Sequence, residues 1–313
     1  VRVHLLANIN LLGELAAARE LAAEGVGLYR TEFPFLIRAA YPSEEEQDVV
    51  YRRLFEEMAG RPVTIRTLDA GGEKMLSYSE TGSAANPELG LRSIRFSLRH
   101  RDVFLQQVRA ILRAAEGAAT VRIMFPLVSS LDEFAAAQGV VREAARQLAQ
   151  EGAGHHSAPQ VGIMVELPSV LEIIDEMAGV VDFFSIGSND VVQYMLAVDR
   201  GNDEVAEYYQ PFHPSVLRGL ARISTAARTA RKYLAICGEM AHDPTCLRFL
   251  VGIGIRNFSL DPQFLPKIQK EVAGLEVAAA ENFARGLLAE ATIAGVQRRL
   301  KVAAAAGEIP SAA

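Results

Sequence analysis

The sequence predicts a (β/α)8 barrel, the TIM barrel fold, on three observations. Short apolar runs alternate with helix-patterned stretches along nearly the whole chain, as parallel strands joined by crossover helices require. The unit recurs eight times in about 250 residues, the usual size of such a barrel. No Gly-x-Gly-x-x-Gly turn follows the first strand, which counts against the doubly wound open sheet that competes with it.

In chain order the predicted strands span 3–9, 25–30, 63–69, 121–127, 161–167, 182–188, 233–239 and 257–260. Strands buried on both faces are nearly continuous apolar runs, and these fit that description. Between them, Phe104, Val108, Ile111 and Leu112 recur at the spacing of one helical face. Loops after the second, third and sixth strands are long, and 82–87 is a turn-rich insertion. Long loops on one face usually serve a site. The Ala-rich stretch 275–302 predicts one or two helices outside the barrel, so 1–313 is expected to be one domain with 275–313 as a helical tail.

Half of the 313 residues are hydrophobic, enough for a sizeable core. The net charge of −6 is spread without a basic block, which argues against nucleic acid or an anionic membrane as partner. Cys237 and Cys246 are the only cysteines; they cannot build a disulfide framework and suit a reducing cytoplasm. No apolar run approaches the roughly 20 residues that span a bilayer, and no signal-peptide pattern opens the chain. A soluble, cytoplasmic protein is expected. The chain starts at Val1 rather than Met and enters a strand at once, which predicts an excised domain of a longer protein.

In such barrels the site is assembled at the carboxyl ends of several strands. The second strand, GVGLYR, delivers Arg30; the third, VTIRTLDAGGEK, carries Arg66 near its end and Lys74 beyond a Gly-Gly turn. The fifth, VGIMVELP, ends in Glu166, the sixth supplies Asn189 and Asp190, and the seventh brings Cys237 and Glu239. Each has a bland explanation. Asn189 and Asp190 suit a helix cap, an Arg at a strand end suits a surface ion pair, and a lone Cys is usually a small buried hydrophobe. Their convergence on one end of one barrel is harder to dismiss, because desolvating several charges is costly without a ligand or metal. Arginines present planar, bidentate donors for phosphate or carboxylate. Carboxylates without His or Cys suit a hard cation, foremost Mg2+. A thiol with an ordinary pKa of about 8.5 is protonated at neutral pH and can hand a proton to carbon. Together these types suggest an enolate intermediate.

On these residues the chain resembles the phosphoenolpyruvate (PEP)-utilising enzymes. DFFSIGSNDVVQYMLAVDRGND, at 182–203, is similar to the family's long signature. GVGLYRTEF, RTLDAGGEK, NPELGLRSIR, RIMFPLV, IMVELP and CGEMA follow in the family's order. Within it the chain looks most like the carboxyl-terminal PEP-binding domain of the enzyme I family of the bacterial phosphotransferase system. YRTEFPF and HPSVLR lean towards the nitrogen-related form over the sugar-transport form. The resemblance implies that Arg30 and Arg66 grip the phosphate, that Asn189 assists and that Arg200 holds the substrate. Strand ends alone do not single out Arg200. It further implies that Glu166 and Asp190 hold Mg2+, that Cys237 protonates the methylene carbon of enolpyruvate, and that Lys74 and Arg92 support the anion. No key position departs from the pattern; His242 stands where relatives often have Gly.

The implied reaction is Mg2+-dependent transfer of the phosphoryl group of PEP to a histidine, releasing pyruvate. That histidine belongs to a separate phosphohistidine domain with a Gly-rich Ser-His motif, absent from this chain; His4, His100, His155, His156, His213 and His242 lack such surroundings. Through that domain a small histidine phosphocarrier protein is the implied partner, and a homodimer is the implied assembly. Two alternatives stay open: the corresponding domain of a pyruvate, phosphate dikinase or PEP synthase, and a non-catalytic PEP-sensing or dimerisation module. Cys237 argues against the last, since binding alone needs no proton donor.

Overall fold

Eight parallel strands close into a barrel in chain order in the computed structural model of the chain, which describes residues 2–37, 40–70, 86–307 and 309. They are β1 (His4–Ile9), β2 (Val26–Arg30), β3 (Val63–Arg66), β4 (Val121–Phe125), β5 (Gln160–Val165), β6 (Phe183–Gly187), β7 (Tyr233–Cys237) and β8 (Asn257–Leu260). The ring closes where Leu5 of β1 pairs with Phe258 of β8. The predicted fold class is the one observed.

Side-chain parity then sorts the strands. Val63 and Ile65, Ile123 and Phe125, Ile163 and Val165, Phe184 and Ile186, and Leu234 and Ile236 join the core between sheet and helices. The alternate set makes a separate cluster of Leu28, Met124, Met164, Phe183 and Cys237. Successive side chains on a strand point to opposite faces, so Arg66, Glu166 and Cys237 share the inner face with those methionines. Buried polar residues such as Asn8, Thr64, Ser185 and Ser259 show that this inner face is less apolar than the continuous runs suggested.

Several strands end before the predicted boundary, and the stops of β4, β5, β6 and β7 have local causes. Leu127 takes a left-handed φ of 55° after β4, and Gly238 takes a φ of 88° after β7. Pro168, which has no backbone N–H, opens a helix after β5. Helix Ser188–Leu196 starts directly where β6 stops. Glu166, Asn189 and Asp190 therefore lie just past the ladder, on the barrel rim.

The outer helices follow from patterning and caps. Helix Arg101–Ala114 buries Phe104, Val108, Ile111 and Leu112, as their spacing predicts. Helix Glu44–Glu57 starts in a capping box: the Ser43 hydroxyl accepts from Glu46 N–H, and the Glu46 carboxylate accepts from Ser43 N–H. Beyond the barrel, helices Val277–Leu288 and Ile293–Ala305 form the tail. Among the described residues, no helix is long and apolar enough to cross a membrane.

Helix Val277–Leu288 packs on helix Pro244–Gly252, and the contact has no slack. A Cβ at Gly252 would lie 2.2 Å from the Ala280 carbonyl oxygen and 2.8 Å from Ala284 Cβ. Gly252→Val is expected to cost about 1–3 kcal/mol through overpacking. Urea unfolding of the variant checks this; an unchanged midpoint would show that the tail docks elsewhere.

Candidate active site

A cavity of about 350 Å3 opens at the carboxyl end of the barrel and is walled by residues at and just beyond the ends of β2, β3, β5, β6 and β7. Arg30, Arg66, Arg92, Arg200, Asn189, Asp190 and Cys237 all line it. Glu166 lies beneath, buried to 2 % exposure. Lys74 and most of the 82–87 insertion lie outside the described residues. A larger hollow of about 590 Å3 between the tail helices has no strand-end residue in its wall.

The arginines are not electrostatically equal. Arg66 is buried and donates to Glu32 Oε1 at 2.9 Å, while its other terminal nitrogen lies 2.7 Å from Asp69 Oδ2. Burial pulls its pKa down, but Asp69, Glu32 and Glu166 outweigh burial and raise it. Arg92 lies 3.0 Å from Asp69 Oδ1, is paired with Glu88 and donates to the Tyr194 hydroxyl at 3.3 Å. Arg30 instead donates to the Asn10 amide oxygen at 2.8 Å and makes no ion pair among the described residues. Among the described residues of the cavity, its charge is the least neutralised. Arg200, half-exposed, reaches to 3.7 Å from Asp190 Oδ1.

Glu32, Asp69 and Glu88 were not singled out from the sequence, yet all three line the cavity. Their signal was position: Glu32 stands two residues after Arg30 and Asp69 three after Arg66. Asp69 is the hub. It accepts from Arg92 and from the Ser93 hydroxyl, and its own N–H donates to Glu32 at 3.0 Å. Burial opposes its charge, but Arg66 and Arg92 more than offset this and lower its pKa to about 2. Glu239, by contrast, is exposed, and only its N–H engages the site, donating to Asn189 Oδ1 at 2.8 Å.

Glu166 is held differently. Its Oε2 accepts from Leu127 N–H at 2.8 Å, while its Oε1 is buried with no hydrogen-bond partner. Burial first, then Asp190 and Asp69, push its carboxyl well above the usual value. Arg66 Nε and Thr67 Oγ1 are likewise buried without partners. Orphaned buried polar atoms are rare in native proteins and call for an explanation. Leu127, which binds Glu166, and Ser93, which binds Asp69, both have positive φ, a costly conformation for such residues. An unpartnered carboxylate oxygen with a second carboxylate nearby fits a hard dication completed by water and substrate oxygens. Among the described residues no cluster of three or more His, Cys, Asp or Glu could hold an ion unaided.

Cys237 ends β7 with its thiol against Ile186 O at 3.4 Å. Burial pushes the thiol up to about 11, although Arg30 and Arg66 pull the other way. It is a protonated acid at neutral pH. His242 stacks on Phe264 with ring centroids 4.0 Å apart, so its ring packs the loop after β7 and does not enter the cavity wall.

Fold and site together define a (β/α)8 barrel with an arginine-lined, carboxylate-bearing centre at its carboxyl end. Residues 1–277 match the family described as PEP-utilising enzyme, PEP-binding domain, and the chain belongs to that family. The phosphoenolpyruvate-protein phosphotransferase of Bacillus sp. (strain S) is 42% identical over 260 residues, covering 83% of this chain and 45% of that protein. The proteins of the same name from Priestia megaterium and Staphylococcus aureus are 42% and 41% identical, over 89% and 88% of this chain and 48% of each relative. The chain thus spans about half the length of these relatives. A citrate lyase structure from Burkholderia xenovorans LB400, 16% identical with a TM-score of 0.52, covers 98% of this chain and 93% of its own; that likeness concerns the fold alone.

The Asp69 hub makes a prediction about acid stability. Its pKa is lower folded than unfolded, so its contribution is complete above the unfolded value of about 3.9 and is lost as pH falls through the folded value. Asp69→Asn is expected to cost about 3–5 kcal/mol at neutral pH, the range for breaking a buried pair, and to flatten the acid limb below about pH 4. Urea unfolding across pH checks both, and a limb as steep as the native one would contradict the hub.

Proposed function

We propose that the chain is the PEP-binding catalytic half of a phosphotransferase, transferring the phosphoryl group of PEP to a histidine on another domain and releasing pyruvate. The observation that carries this reading is the convergence, around one cavity, of an Arg30 with no ion pair among the described residues, the braced Arg66 and a protonated thiol, beside a buried carboxylate with an orphaned oxygen. Membership of the PEP-utilising family and the name shared by the curated relatives support the same reading.

Arg30 and Arg66 would bind the phosphate, Arg30 supplying net charge and Arg66 a fixed geometry. Arg200, beside Asp190, would take the substrate carboxylate, and Arg92 would brace the anion through Asp69. Asn189 uses Oδ1 on the β7 turn, which leaves its amide N–H groups for the phosphate. Glu166 and Asp190 would hold Mg2+, which when bound neutralises charge on the phosphoryl and enolate oxygens. As the bridging P–O bond breaks towards an incoming histidine, the electron pair stays on enolpyruvate. Cys237 then gives its proton to C3, forming a C–H bond and making pyruvate. The dry surroundings that raise the thiol pKa keep that proton in place until carbon takes it. The histidine domain, a small histidine phosphocarrier protein, a second copy of the barrel and a cytoplasmic setting complete the proposal.

Two measurements test it. Calorimetry is expected to show PEP binding that depends on Mg2+ and weakens about tenfold to a hundredfold in Arg30→Ala, the loss of one charge-assisted contact. Equal affinity with and without Mg2+, or an unaffected variant, contradicts the site. Cys237→Ala is expected to bind PEP normally yet slow pyruvate formation about 100-fold or more when a histidine domain is supplied in trans. Pyruvate release at the native rate would assign the acid elsewhere.

A further inference from the structure

Three consecutive residues at the start of helix Ser188–Leu196 hold three different things. Asp190 faces the cavity. Asn189 Oδ1 accepts from Glu239 N–H at 2.8 Å. The buried Ser188 hydroxyl donates to the Cys237 carbonyl oxygen at 2.7 Å. The peptides on either side of Gly238 are therefore tied to the start of helix Ser188–Leu196 rather than left to the turn after β7.

Gly238 makes that tie possible in two independent ways. Its φ of 88° and ψ of −173° lie in a region essentially restricted to glycine. A Cβ there would also stand 2.3 Å from Ser188 Oγ and 2.7 Å from Asn189 Oδ1. The turn folds onto the two side chains that grip it. Register completes the arrangement: Gly187 pairs with Cys237, so the hydroxyl of the next residue reaches the Cys237 carbonyl directly. Gly187 is close-fitting as well, since a Cβ on it would stand 3.0 Å from Glu166 Cγ.

We infer that Ser188 is the positioning residue for the proton-donating thiol, fixing Cys237 relative to the residues that hold the substrate. This rests on the assignment of Cys237 as the acid. Cys237 is the last residue of the β7 ladder, paired with Gly187, and its thiol lies 3.4 Å from Ile186 O. The Ser188 hydrogen bond adds a second restraint by fixing the carbonyl of the Cys237 peptide just where the chain leaves the ladder. Misplacing a reacting group by about 1 Å can cost as much as a hundredfold in rate.

The test follows exchange of the methyl hydrogens of pyruvate with D2O, which this chain can be asked to perform without a histidine domain. In it the thiol first gives its proton to water, and the thiolate so formed takes a proton from C3 while the C–H electron pair enters the enolate. The S–H exchanges with solvent, and S–D returns deuterium to C3, with no oxidation or reduction. The methyl resonance is followed by NMR with pyruvate, Mg2+ and inorganic phosphate. Ser188→Ala is expected to slow exchange about tenfold to a hundredfold, with PEP affinity by calorimetry changed less than about threefold. Ser188→Thr, which keeps the hydroxyl, is expected to recover most of the rate. The inference is overturned if Ser188→Ala exchanges at the native rate, if its loss is matched by lost affinity, or if Ser188→Thr recovers nothing. Cys237→Ala separates the two claims. If it exchanges at the native rate, the acid assignment fails. If it falls to background while Ser188→Ala is unimpaired, only the positioning inference fails.

Discussion

The buried guanidinium of Arg66 between Glu32 and Asp69 is the constraint on which the rest of the site depends. An uncompensated charge at that depth is prohibitive; the two carboxylates make it tolerable. They also recruit neighbours: Asp69 holds Arg92 and Ser93, and Glu32 holds the Asp69 N–H. The first part of the loop after β3 is thereby tied to the loop after β2 before any ligand arrives. Charge is arranged here more for geometry than for attraction, and the attraction is left to Arg30.

Across the barrel the same task is done with uncharged groups. Leu127 N–H holds Glu166, while Ser188 and Asn189 hold the turn after β7. Each of these ties joins neighbouring strands in the ring, so the rim is braced strand to strand. The strain at Leu127 and Ser93 and the orphaned atoms beneath the cavity are costs that the packed barrel tolerates. Such costs concentrate at functional sites because preorganised groups must already stand where a ligand will need them.

Most of the fold was legible in the sequence because parallel strands announce themselves as apolar runs, and eight of them leave few architectures. The site was legible where chemistry coincided with strand ends, as at Arg30, Glu166, Asp190 and Cys237. Arg200 was visible only through family resemblance, since it lies beyond helix Ser188–Leu196, in a loop. The compensating acids Glu32 and Asp69 were quoted within the motifs but not weighed, because a sequence shows charges without showing which neutralise each other. Strand ends were overestimated where left-handed or proline residues stop the ladder. The capping explanation for Asn189 also gave way: helix Ser188–Leu196 has no side-chain cap, and the Asn189 oxygen is spent on the neighbouring turn.

The central claim is that the carboxyl end of this barrel is by itself a complete receptor for PEP and a divalent cation. A crystal structure of the chain grown with PEP and Mg2+ tests it most directly. The account predicts phosphate against Arg30 and Arg66, the cation touching Glu166 and Asp190, and C3 of the ligand facing Cys237 Sγ. A ligand seated in the hollow between the tail helices, or a cation away from both carboxylates, would contradict it.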